Sequence, residues 1–151
     1  MSVSKPVVEF ESQTQLDEYL EKWKVILGLQ DWMIKASVVG KEYMPLEDSA
    51  GVNEYSIPMM QSIIYILDPK DYEDDTMDVY IAEKILVHEL LHLVFTYVDR
   101  ENDYESKLAD LIEHQKIEKM AKSFMKARYH LTDNDFYRQG YQNPNSIFLK
   151  K

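Results

Sequence analysis

His88, Glu89 and His92 stand in the order His-Glu-Leu-Leu-His, a spacing that supports metal chemistry if the segment is helical. Residues four apart lie one above the other on a helix face, so both imidazoles can reach one metal ion. The glutamate between them falls on the adjacent flank, where it can reach a metal-bound water and act as general base. The motif uses two of the four histidines in the chain. The absence of cysteine removes disulfide frameworks and thiolate metal sites together, so a bound metal must be held by imidazole and carboxylate groups.

The flanks carry more weight than the five-residue pattern. Ile81 to Val98 reads IAEKILVHELLHLVFTYV, with apolar residues on nearly every face. A helix apolar all round belongs in a core. Two histidines and a glutamate there cost desolvation energy unless something pairs with them, and a bound cation does so. The bland alternative is a core helix whose histidines bond to backbone carbonyls, which requires a separate partner for each polar group.

A catalytic zinc takes three protein ligands and keeps one position open. The position six residues beyond His92 is Val98, and no histidine occurs from 93 to 113, so the third ligand must come from the following helix. The chain rises roughly 9 Å past His92 before turning, and an antiparallel helix starting near Tyr104 must climb back by a similar amount. Positions from about 110 onward then come level with the metal, and Glu105 is too early. Glu113 fits best, because Ala109, Ile117 and Met120 share its helical face and an inward carboxylate needs a partner. Asp110 and His114 compete, with less apolar flanks.

The elements around the motif follow from periodicity. Residues 14–28 read as a first helix, with Thr14 as N-cap, Gly28 as stop and a stripe of Leu16, Tyr19, Leu20 and Trp23. Trp32 to Val39 alternates as a first strand, Ala50–Ser56 reads as a weaker second, and Gln61–Leu67 (QSIIYIL) is the clearest. An acidic loop from Asp68 to Asp78 leads to the motif helix, capped by Asp75 or Thr76 and ending near Val98. That loop lacks the glycine turn and distal glutamate of a calcium-binding EF-hand. A long helix runs from about Tyr104 to Arg128. The pattern predicts an α+β domain: an N-terminal helix, a small mixed or antiparallel sheet of about three strands, the buried motif helix and a long helix.

With 151 residues the chain makes one domain, 1–151, of which 129–151 is a C-terminal extension without an assignable structure. The formal charge of −10 argues against a nucleic-acid partner. Lys116, Lys119, Lys122, Lys126 and Arg128 read as a solvated helix face. No apolar run is long enough for a membrane span, the first residues show no secretory signal, and the expected location is the cytoplasm.

With these residues in view, the sequence resembles the zincin metallopeptidases, specifically the gluzincin arrangement of HExxH on one helix and a glutamate on the next. It is also similar to short metallopeptidase-like proteins of phages and prophages, through the GLQDW segment at 28–32, the isoleucine-rich strand, ILVHELLHLVF and the glutamate-bearing helix. The resemblance covers about residues 15–125, and its metal motif is the specific part. It implies a zincin-like fold, Zn2+ bound by His88, His92 and Glu113, and Glu89 activating the zinc-bound water. It further implies an edge strand, here 61–67, along which an extended substrate pairs through its backbone. A downstream tyrosine or histidine that steadies the oxyanion has no motif here; Tyr129, His130, Tyr137 and Tyr141 are candidates by position. The implied function is zinc-dependent hydrolysis of peptide bonds in a protein or peptide. The alternative from another class is a non-catalytic zinc-binding module with a regulatory or phage–host role. Oligomeric state is not legible.

Overall fold

The computed structural model describes residues 4–73, 77–95 and 103–138, and the side chains of all of these except 103–109. Helix α1 spans Gln13–Leu27. Its N-cap is Ser12, two residues before the expected Thr14, and the Ser12 hydroxyl accepts from the Gln15 N–H. Gly28 ends the helix at φ 72°, a left-handed conformation that suits glycine. The Leu29 N–H then reaches back to the Lys24 carbonyl. The inner stripe of α1 is Leu16, Leu20 and Trp23, each at most 3% exposed.

Three strands follow: β1 (Met33–Val39), β2 (Gly51–Ser56) and β3 (Gln61–Leu67). The sheet order is β1-β3-β2, with β3 parallel to β1 and antiparallel to β2. The expected edge strand 61–67 is therefore the central strand, and β2 is the edge beside the motif helix. The reason is in its composition. Ile64 and Ile66 are fully buried and Leu67 nearly so, and a strand with apolar residues on both faces gains most between two neighbours. Register places Asn53 of β2 opposite Ile64, and Val52 opposite Tyr65.

Helix α2 (Ala82–Val94) carries the motif, and most of its side chains are buried, as its all-round apolar pattern demands. It begins later than the expected cap at Asp75 or Thr76, both outside the described residues. Ile81 occupies the N-cap position and makes no side-chain cap. Instead the Val8 and Val7 carbonyls accept from the N–H groups of Ala82 and Glu83. Upstream, Asp78 pairs antiparallel with Tyr137, flanked by hydrogen bonds from Val79 N–H to the Phe136 carbonyl and from Arg138 N–H to the Met77 carbonyl. The start of the 129–151 extension is thus ordered. It holds a short 3-10 turn at Asp133–Phe136, and the Phe136 ring is buried.

Helix α3 (Asp103–Tyr129) matches the expected long helix. Its core stripe is Ile117, Ala121 and Met125, all fully buried. One hydrophobic cluster runs from Leu16 of α1 through the sheet and α2 to Phe136. Among the described residues, no helix is long and apolar enough to cross a membrane.

Candidate metal centre

Helix α2 turns His88 and His92 toward α3, which brings His114 to meet them. One ligand atom from each of the three imidazoles lies within 4.8 Å of the other two. Ring centroids are 5.3 Å apart for His88–His92, 4.8 Å for His88–His114 and 5.6 Å for His92–His114. The three histidines are close enough to bind one metal ion.

Glu113, the expected third ligand, is not in this group. The stripe Ile117–Ala121–Met125 explains the difference. Extended back by one turn it passes through position 113, and Glu113 is half-buried with its Oε2 shielded from solvent. The apolar flank that singled out Glu113 therefore marks the core stripe. The stripe facing the motif lies one residue over and carries His114 and Glu118, four residues apart on one face. Asp110 is exposed.

Glu89 is 6% exposed and sits under the pair, its Oε2 3.9 Å from His88 Nε2 and its Oε1 4.0 Å from His92 Nε2. Burial raises its carboxyl to about 7, eased by His88 and reinforced by Glu118. Burial lowers His92 to about 4, with His88 and His114 adding to the effect. Burial and His88 also lower His114, against an opposing pull from Glu118. Both shifts favour the neutral ring, the form in which imidazole binds metal.

Two groups absent from the sequence reading complete the surroundings. The Oε2 of Glu118 lies 2.6 Å from His88 Nδ1, and its Oε1 accepts from Lys84 Nζ at 2.9 Å. Burial alone raises the Glu118 carboxyl, but the His88 bond and the Lys84 ammonium outweigh it and hold it well below the usual carboxylate range. The legible signal was spacing: Lys84 stands four before His88, and Glu118 four after His114. Lys122, expected on a solvated face, has an 18% exposed side chain near Glu118 and Asp78.

Edge strand β2 closes the site from the other side. Asn53 Nδ2 donates to the Glu89 backbone carbonyl at 2.8 Å, while its Oδ1 accepts from the Ser62 hydroxyl. A Cβ on Gly51 would lie 2.8 Å from Glu89 Oε2, so glycine leaves the room that the carboxylate occupies. Gly51, Asn53 and Tyr55 line a cleft of about 640 Å³ together with the three histidines, Glu89 and Glu118.

Among the described residues, none of the positional candidates for an oxyanion donor lines this cleft, although Tyr137 lines an adjoining pocket with His114 and Glu118. Tyr129 is buried and donates its hydroxyl to Glu83. His130 is exposed just past the end of α3, at φ 56°. Tyr137 accepts from Lys122 Nζ at 3.4 Å, and Tyr141 lies outside the described residues. Within the cleft, Tyr72 and Tyr80 donate to the backbone carbonyls of Asp78 and Leu67, and Tyr55 is 45% exposed.

No protein-family model matches the chain, and no curated protein or solved structure is significantly similar to it.

Proposed function

We propose that this chain is a zinc-dependent peptidase that hydrolyses peptide bonds in a protein or peptide, with His88, His92 and His114 as ligands and Glu89 as general base. The observation that carries the reading is the convergence of three imidazoles from two helices around a buried carboxylate about 4 Å from two of their Nε2 atoms. A buried scaffold has no structural use for a carboxylate placed there.

The donor set fits the ion. Nitrogen ligands at roughly 2.0–2.1 Å suit tetrahedral zinc, and three protein ligands leave a fourth position open. His88 Nδ1 is engaged by Glu118, which leaves Nε2 as its ligand atom. Imidazole donors also suit iron(II), manganese or cobalt, but the helical His-Glu-x-x-His spacing makes zinc the first choice. When bound, zinc supplies a Lewis acid that activates water and polarises the scissile carbonyl.

The remaining roles belong to the chain. Glu89 takes a proton from the attacking water and returns it to the departing amine as the C–N bond breaks. Asn53 holds the Glu89 backbone against β2, and Gly51 leaves the space that the carboxylate occupies. An extended substrate lies along the edge of β2, exchanging backbone hydrogen bonds. Of the tyrosines lining the cleft, Tyr55 is placed on that strand and is the proposed oxyanion donor.

The test compares wild type with Glu89→Gln, purified without a metal-affinity tag, on a peptide library and by elemental analysis. Wild type should cleave, and the variant should lose at least about 100-fold in rate while keeping its zinc. If both proteins bind zinc and neither cleaves any peptide, the enzyme reading fails and a non-catalytic zinc-binding module remains.

A further inference from the structure

We propose that Glu118 and Lys84 are a positioning pair that fixes the tautomer and aim of His88, and thereby sets the affinity of the three-histidine site for its metal. The inference rests on the metal-binding half of the reading above and is independent of whether the chain cleaves peptides.

An ionised carboxylate can only accept hydrogen bonds, so Glu118 Oε2 at 2.6 Å from Nδ1 requires the proton of a neutral His88 ring to sit on Nδ1. The lone pair is then on Nε2, the atom that faces Glu89. The second oxygen of Glu118 is held as well. It accepts from Lys84 Nζ at 2.9 Å, and Lys122 Nζ lies 3.8 Å from the same oxygen. With both oxygens fixed, the carboxylate cannot turn away from the imidazole.

Lys84 is the unusual member. It is 8% exposed on a largely buried helix, and a lysine so deep is uncommon unless paired. Glu118 in turn shares the α3 face of His114. One carboxylate therefore ties the helix that carries two histidines to the helix that carries the third. Outer partners of this kind orient the ligand ring and raise its basicity.

The experiment measures zinc affinity of the full chain by competition with a chromophoric chelator, for wild type, Glu118→Ala, Glu118→Gln, Lys84→Met and the Glu118→Ala/Lys84→Met double variant. Glu118→Ala should weaken binding about 10- to 100-fold. Glu118→Gln keeps an acceptor for Nδ1–H and should recover most of that loss. Glutamine also matches glutamate in size, so the variant that separates this role from packing is Lys84→Met, which keeps a buried stem and removes only the ammonium. Lys84→Met should cost several-fold, and the double variant should bind no more weakly than Glu118→Ala, because Lys84 acts through Glu118. Binding of Glu118→Ala within about twofold of wild type overturns the proposal, the expected loss being at least tenfold. If Glu118→Ala does not fold, as judged by circular dichroism, Lys84→Met decides: wild-type affinity in that variant overturns the proposal. Failure of wild type itself to bind zinc removes the three-histidine site, and the pair's role with it.

Discussion

Helix α2 buries two glutamates, Glu83 near its start and Glu89 within the motif, and their surroundings are opposite. Glu83 is fully buried and receives hydrogen bonds from three elements: Val7 N–H at 2.9 Å, Trp23 Nε1 at 2.9 Å and the Tyr129 hydroxyl. The N-terminal segment, α1 and α3 all meet on that carboxylate. Glu89 is nearly as deep, yet among the described residues its carboxylate takes no hydrogen bond and lies about 4 Å from two histidine rings. The same side chain on the same helix is a structural hub in one place and, in the proposed reading, a poised base in the other. Burial alone does not mark a functional acid; the state of its hydrogen-bonding capacity does.

Exchanging each glutamate tests this division most severely. Glu83→Ala leaves three donors, two of them buried, without their acceptor and should lower stability by about 3–5 kcal/mol, read from urea unfolding of metal-free protein. Glu89→Ala in the same assay should leave stability within about 1 kcal/mol, because no donor loses a partner. A Glu89 variant that unfolds as readily as the Glu83 variant breaks the contrast.

The next effect separates His114 from its neighbour. His114→Ala removes a proposed ligand and should weaken zinc binding by more than the roughly 100-fold typical of an outer-partner loss. Glu113→Ala should leave affinity nearly unchanged, since that carboxylate continues the core stripe of α3. Elemental analysis after dialysis against a weak chelator distinguishes them. Equal loss in both variants would return Glu113 to the ligand set.

These paired residues also show what the sequence made legible. Apolar spacing located α1, the central strand and α3, and it brought the third donor to within one position. It could not resolve a single residue's rotation on α3, about 100° of helix, because both 113 and 114 precede Ile117 at helical spacing. The sheet order was likewise hidden: QSIIYIL announces a strand but not its neighbours, and its two apolar faces were the sign of a central place. The start of α2 had no local signal, since its first N–H groups are capped by the carbonyls of Val7 and Val8. Glu118 and Lys84 were overlooked because each reads as an ordinary helix charge until α2 and α3 are packed together.

A smaller change probes the hub alone. Tyr129→Phe removes one of the three donors to Glu83 and should cost about 1–2 kcal/mol. Zinc affinity should stay at the wild-type value, because Tyr129 serves the hub and touches none of the histidines. Loss of zinc in this variant would show that the two ends of α2 are not independent.

The mildest substitution acts on the other end. A Cβ at Gly51 would come 2.8 Å from Glu89 Oε2 and 2.7 Å from Ile85 Cγ2, closer than packing allows. Glu89 Oε2 ends a flexible side chain and can move, while the Ile85 methyl branches from Cβ on a helix and yields little, so Gly51→Ala should cost about 1 kcal/mol. The carboxylate must shift to make that room. Zinc affinity should hold, while turnover on any peptide cleaved by wild type should fall about tenfold, since a displacement of around 1 Å at a catalytic group is costly. Unchanged turnover in this variant would mean that Glu89 is free to settle without β2, and that only the hub at Glu83 is tightly held.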